Sequence, residues 1–383
     1  MSSNLDQIIY DARCVESGMT GVGRYALNLL RHLARLEETP PIRAFFTRET
    51  AERARRDRWL QGVRIEVARF GPQSHPAGDL WTDWVLPRAS TGGGVTHGPA
   101  FRVPRRGGPH VVTIHDLFVW TMPEAYPAGF RWWLRRIIRQ ACREARRIIV
   151  PSQAVADQLI ERQLASRERI RPIHHGPDAT DAHWEGANGD FFPAHVLDPR
   201  IPLLMSIGAR DPRKDPATAR RAMLALRERR PGTRLLPKWI WIGAAGSRSD
   251  PAPEQLKRRA REAGFVETGP LPASDVQAVL RRATALVSCS RDEGFGIPLV
   301  EAMAAGVPLV ISDIAVHREV AGHAALYFPP GDVDALVRQC DRLLRDASLR
   351  RRLQAAGRDR SAGFSWERAA RQTLEVYREA AAD

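Results

Sequence analysis

Hydrophobic residues fall along this chain in two rhythms. Short apolar and β-branched runs, Gln7–Tyr10, Val111–Ile114 and Ile148–Val150, are separated by stretches where apolar side chains recur every three or four positions, as in Tyr25–Leu36 with Leu29, Leu33 and Leu36. The first rhythm predicts buried strands and the second helices, and their alternation predicts a parallel sheet covered on both faces. A polar stretch containing glycine and proline, Asp178–Pro202, breaks the pattern. It restarts with Leu203–Ile207, Trp239–Gly243, Ala285–Ser288 and Pro308–Ile311. The expected fold is α/β, with two Rossmann-like domains facing across a cleft, residues 1–185 and 200–365, and a closing helix over 366–383.

Composition agrees with two folded domains, because 383 residues exceed what one ordinary core holds and 43% of them are hydrophobic. No apolar run approaches the roughly 18 residues of a membrane-spanning helix. The polar start MSSNLDQ lacks the form of a signal peptide, which predicts a cytosolic protein. Cys14, Cys142, Cys289 and Cys340 lie too far apart in sequence for a zinc or disulfide framework, so reduced thiols are expected. The formal charge of +14 fits an anionic partner of some kind: nucleic acid, membrane or phosphorylated small molecule. Only three of the 58 cationic residues are lysine, Lys214, Lys238 and Lys257. A lysine in a ligand-facing loop therefore stands out.

In parallel α/β sheets, ligands bind where loops leave the carboxyl ends of strands and enter helices. The stretch SRDEGFGIPLVEAMAAG, Ser290–Gly306, follows one such predicted strand. Arg291–Gly296 reads as the loop and Ile297–Ala305 as a short helix, with Pro298 suited to its first turn and Gly306 to its end. Gly294 and Gly296 allow close backbone approach to a ligand. Glu293 in the loop and Glu301 on the helix can present two carboxylates to one ligand. Other strand ends carry Ile114–Leu117 with His115, Val150–Ser152, and Ile207–Lys214 with Arg210, Arg213 and Lys214, while Thr20–Tyr25 with Gly21 and Gly23 opens the first predicted helix.

Together these segments resemble the retaining glycosyltransferases of family 4, which have the GT-B fold, and in particular their bacterial mannosyltransferase-like branch. Glu293–Pro308 resembles the family's carboxylate-x7-carboxylate segment. Phe364–Trp366 resembles the start of its closing helix, which crosses back to the N-terminal domain. The resemblance implies an acceptor-binding N-terminal domain and a donor-binding C-terminal domain. It implies that Glu293 bonds the hydroxyls of the transferred sugar and Glu301 those of the ribose. Lys214 and an arginine, Arg210 or Arg213, would take the diphosphate. His115 would touch the donor sugar or its phosphate, making His115, Glu293 and Lys214 the expected catalytic residues. Gly21 and Gly23, and the loop and helix start through Gly294, Phe295, Gly296, Ile297, Leu299 and Val300, would complete the donor site.

Sugar transfer with retention on the face the nucleotide leaves is implied, without a metal ion or any other cofactor. Asp332 and Asp334 are discounted as a metal-binding pair because they fall in a peripheral Pro-Gly-Asp turn. The implied donor is GDP-mannose or a GDP-deoxyhexose, with UDP- and dTDP-sugars open. The implied acceptor is a glycan or lipid-linked glycan of cell-surface polysaccharide, such as lipopolysaccharide.

Two other functions fit parts of the chain. Gly21–Ala26 has the G-x-G-x-x-A form of an NAD(P)-binding turn, but about ten residues separate it from the strand ending at Tyr10 and no ribose-binding acid follows at the usual distance. The helix from Phe130 carries Arg135, Arg139, Arg143 and Arg146 along one edge beside Trp132 and Trp133, which suits a basic protein resting on an anionic bilayer as a peripheral partner. Nucleic acid is not expected, because no recognition module accompanies the charge.

Overall fold

A computed structural model describes residues 5–15, 20–68, 76–89, 94–177, 198, 200–229, 236–245 and 252–382, with backbone alone for 76–79. Most of the expected linker, Asp178–Pro202, lies outside the described residues. The chain forms two units. One comprises Met1–Gly176 with Ser365–Asp383, the other Pro177–Phe364.

Among the described residues, the first unit holds a seven-stranded parallel sheet: β1 (Gln7–Asp11), β2 (Ile42–Phe46), β3 (Val63–Val67), β4 (Gly94–Gly98), β5 (His110–Thr113), β6 (Arg147–Val150) and β7 (Ile170–Pro172). Its order is β3-β2-β1-β4-β5-β6-β7, so the order reverses beside β1, where Ile9 stands opposite Arg43 of β2 and Thr96 of β4. The second unit repeats the arrangement with six strands: β8 (Leu203–Ile207), β9 (Lys238–Ile242), β10 (Phe265–Gly269), β11 (Ala285–Ser288), β12 (Leu309–Ser312) and β13 (Ala325–Phe328), in the order β10-β9-β8-β11-β12-β13. Both are doubly wound orders, each with a switch point where ligands of such sheets bind.

The first helix runs from Gly21 to Leu33, four residues earlier than its apolar periodicity begins, because the Thr20 side chain accepts from the Gly23 N–H and fixes the start at the glycines. Its buried stripe, Tyr25, Ala26, Leu29, Leu30 and Leu33, packs against the C-terminal helix Trp366–Ala382. That helix belongs to the first unit, although it follows the second in sequence. Its Tyr377 hydroxyl meets His97 Nδ1 at 2.6 Å. His97 Nε2 meets Thr113 Oγ1 at 2.9 Å, which in turn meets the Tyr25 hydroxyl at 2.9 Å. One buried polar chain thus ties β4, β5 and two helices together. The crossings out of and into this unit touch: a Cβ at Gly176 would lie 2.4 Å from the Trp366 nitrogen, which only glycine avoids.

Candidate functional site

In the second unit the loops after β8 and β11 are laced together. Asp211 caps a single turn, Pro212–Lys214, by accepting from the Lys214 N–H, and Asp215 then caps the helix Pro216–Glu228. Arg291 donates its N–H to the Arg213 carbonyl at 2.8 Å and its Nε to Asp215 at 2.9 Å, which brings the two loops edge to edge. Gly296, at φ +90°, turns the second loop into the helix Ile297–Ala304, with Pro298 in its first turn and no side-chain cap. A backbone at that φ suits glycine alone.

This lacing brings Arg213 and Lys214 onto one carboxylate. Lys214 Nζ donates to Glu293 Oε1 and Arg213 Nη1 to Oε2 at 2.8 Å, while the Ser290 hydroxyl donates to Oε1 at 2.7 Å. Burial by itself pushes the Glu293 carboxyl up, but Lys214 and Arg213 outweigh it and hold the group well below the usual carboxylate range. Glu293 is therefore an anion between two cations, and the three groups together carry a net charge of +1. Glu301 is buried on the helix.

Arg210 goes elsewhere. It donates to the Gly243 carbonyl at 2.7 Å, and its Nε lies 3.7 Å from Glu267, which also holds the buried Arg220. Phe295 anchors the glycine loop edge-on against Phe364 at 5.8 Å. Ile297, Leu299 and Val300 are buried on the helix. Asp332 caps the helix Val333–Arg345 and Asp334 pairs with Arg229.

In the first unit, His115 follows β5 and is buried. Its Nε2 lies 2.7 Å from the Pro99 carbonyl, which only accepts, so Nε2 carries the proton. Burial pushes its pKa down to about 4, leaving a neutral ring with its lone pair on Nδ1. The ring stands edge-on to Tyr25 at 4.8 Å and Phe101 at 5.4 Å. Such a histidine serves as a fixed hydrogen-bond acceptor rather than a proton shuttle near neutral pH. Gly23 is buried in the first turn of its helix, whereas a Cβ at Gly21 would meet nothing within 4 Å. Between β1 and that helix lies a 3-10 turn, Ala12–Cys14, so the glycine turn does not follow its strand as a dinucleotide fingerprint requires.

Sequence inspection missed Ser290, Ser312 and His317 around Glu293, and Glu267 and Arg220 around Arg210. Ser290 adjoins the motif and Ser312 ends a strand, which are signals of position. Glu267 and Arg220 carry no signal outside the folded sheet.

Two family models match the chain: glycosyltransferase family 4 over residues 19–181 and glycosyl transferases group 1 over residues 189–360. The O-antigen chain mannosyltransferase B of Escherichia coli is 26% identical, over 97% of this chain and 99% of that protein. Among solved structures, sucrose-phosphate synthase from Thermosynechococcus elongatus superposes with a TM-score of 0.72 at 19% identity, over 97% of this chain and 98% of that one. WaaG, a glycosyltransferase involved in lipopolysaccharide biosynthesis, gives 0.69 at 14% identity, over 97% and 99%. At these identities the structures establish the fold.

Proposed function

Because this chain belongs to the family 4 glycosyltransferases of the GT-B fold, in their bacterial mannosyltransferase-like branch, we propose that it passes mannose or a deoxyhexose from a GDP-sugar, with retention, to a glycan or lipid-linked glycan of cell-surface polysaccharide. The observation that carries this is the meeting of Arg213 and Lys214 on Glu293 beside the Gly296 helix start. A diphosphate gains charge as the glycosidic bond breaks. Two cations and the amides of a helix start stabilise that charge in a site that needs no metal. Glu293, kept ionised, accepts from hydroxyls of the transferred sugar, and Glu301 from those of the ribose. The departing phosphate takes the acceptor's proton. Lys214 and Arg213 serve the phosphates, and Arg210, engaged with Gly243 and Glu267, shapes the neighbouring strand ends. His115 offers Nδ1 to a donor hydroxyl.

The test is thermal shift with GDP, UDP, dTDP and NAD in turn, then the anomeric configuration of the product by NMR. A shift with GDP that weakens in Lys214→Ala, with an α-linked product from an α-linked donor, is the expected result. A shift with NAD alone, or an inverted product, would overturn it.

Contact with an anionic bilayer belongs to the same proposal, with Trp132 of the helix the sequence singled out at its centre. Arg135 donates to the Val119 carbonyl and, with Arg139, lies over Trp120 at 5.5 and 5.6 Å, while Arg139, Arg143 and Arg146 stay exposed along that edge. The large hydrophobics left exposed among the described residues, Leu80 (64%), Trp84 (60%), Val85, Phe130 and Trp132 (67%), sit on or beside the helices Pro76–Trp84 and Ala128–Glu144. Asp83 of the first helix pairs with Arg105 at 3.1 Å and feels the charge of Arg136 on the second. Tryptophan beside arginine is a composition suited to a headgroup layer. No helix among the described residues is long and apolar enough to cross a membrane. Flotation with phosphatidylglycerol vesicles is expected to fail for Trp84→Ala with Trp132→Ala; unchanged flotation would remove this face from the proposal.

A further inference from the structure

Behind Glu293 lies a second histidine that the donor site does not use. His317, on the short helix after β12, is fully buried. Its Nδ1 lies 2.8 Å from the Ser312 carbonyl, an acceptor only, so Nδ1 carries the proton and Nε2 is left with a lone pair. Burial pushes its pKa down to about 4 even though Glu293 lies close enough to pull it upward. Among the described residues, the buried Nε2 meets no hydrogen-bonding partner.

From this ring a run of hydrogen bonds leads back to the site. The Ser312 hydroxyl, 3.2 Å from His317 Nδ1, donates to the Ser290 carbonyl, and the hydroxyl of that same Ser290 donates to Glu293 Oε1 at 2.7 Å. The Ser288 hydroxyl, 3.1 Å from that of Ser290, steadies it from the strand side. Lys214 and Arg213 fix the charge of Glu293, but both are long side chains that would move with a bound diphosphate. The path from His317 is short and buried, and it is independent of the phosphates.

We propose that His317 is a positioning residue for the transfer reaction: through Ser312 and Ser290 it holds the Glu293 carboxylate in register with the sugar hydroxyls. The inference rests on the donor-contact role of Glu293. A histidine that merely filled the core would be better replaced by an apolar side chain, because its bare lone pair is buried without a partner. A positioning histidine would not, and the two cases separate by experiment.

Three variants, His317→Leu, His317→Asn and Ser312→Ala, are compared with Glu293→Gln for melting temperature, kcat and donor KM, using whichever of GDP-mannose, UDP-glucose and dTDP-rhamnose turns over fastest. The expected result is that His317→Leu melts at or above the parent temperature yet loses about tenfold to a hundredfold in kcat, since misplacing a contact by an ångström has effects of that size. Ser312→Ala follows it. His317→Asn, whose amide N–H replaces the Nδ1 donor, recovers part of the rate. Near-parent kcat in both His317→Leu and Ser312→Ala, with Glu293→Gln inactive, would overturn the proposal. Losses that track melting temperature alone would overturn it as well. Normal turnover in Glu293→Gln would remove the donor-contact role of Glu293 itself, and this proposal with it.

Discussion

At Glu293, burial and charge pull in opposite directions, and charge wins. The carboxylate sits out of water, yet the two cations that bond it hold its pKa below the ordinary range. A carboxyl depressed by folding adds stability that is present above its unfolded value, about 4.3, and is lost as pH falls through the folded value. Glu293→Gln should therefore be less stable than the parent near pH 7, and that gap, measured by urea unfolding, should shrink as pH falls below about 4.3. Its turnover should drop on the order of a hundredfold or more, as should that of Lys214→Ala, because each removes preorganised charge from the reacting centre. Parent-like kcat in either variant would take that residue out of the site. Much of this was legible beforehand, since Glu293 stands in a dense local motif and Lys214 is one of three lysines. The choice of Arg213 over Arg210 as its partner was not, because three residues of sequence separate side chains that the loop sends to different neighbours.

Among the elements, the helix Ile297–Ala304 shows what a loop needs from its glycines. Gly296 has φ +90°, and a Cβ there would also approach Leu299 to 3.1 Å. Gly296→Ala should cost about 1 to 2 kcal/mol by urea unfolding and weaken nucleotide binding in the same variant. Gly21→Ala is the contrasting case, since no protein atom lies within 4 Å of the added carbon. Its stability should stay near that of the parent, so a fall in donor binding there would report contact with the ligand rather than damage to the fold. The long apolar runs declared their strands. β3 did not, because Arg64 and Glu66 interrupt it, and β4 did not, because its core positions include Thr96 and His97. His97 is a core residue only because Tyr377 and Thr113 answer its two nitrogens, one of them from the far end of the chain.

At the scale of the whole molecule, the buried histidines among the described residues are divided unequally. His97 is pushed down to about 3, His110 and His115 to about 4, and His175 well below its usual value, all in the first unit and all chiefly by burial; the second unit has His317 at about 4. A histidine kept neutral by folding binds fewer protons than its unfolded form between its folded value and about 6.5, so stability falls as pH drops through that window. Each contributes roughly 1 kcal/mol per pH unit there. With four such groups against one among the described residues, the first unit should open before the second on acidification from pH 7 to pH 5. Hydrogen exchange mapped by mass spectrometry should show protection lost earlier in residues 7–172 and 366–382 than in 203–361. Equal loss in both would mean that another set of groups governs acid stability.

By itself the sequence determined the two parallel sheets, the glycine loop that opens a helix between two glutamates, and the family those segments belong to. Each of these is written in short-range pattern: apolar runs that must be buried, turn residues that fix φ, and a motif contained in one strand-loop-helix unit. Only the tertiary structure decided which arginine joins Lys214 and which face leaves its tryptophans exposed. It also revealed that a polar path runs from His317 to Glu293 and that Tyr377 of the last helix answers His97 in the core of the first unit. Those outcomes depend on side chains that meet across loops and strands distant in sequence, where burial and hydrogen-bond geometry choose among residues of the same chemical type.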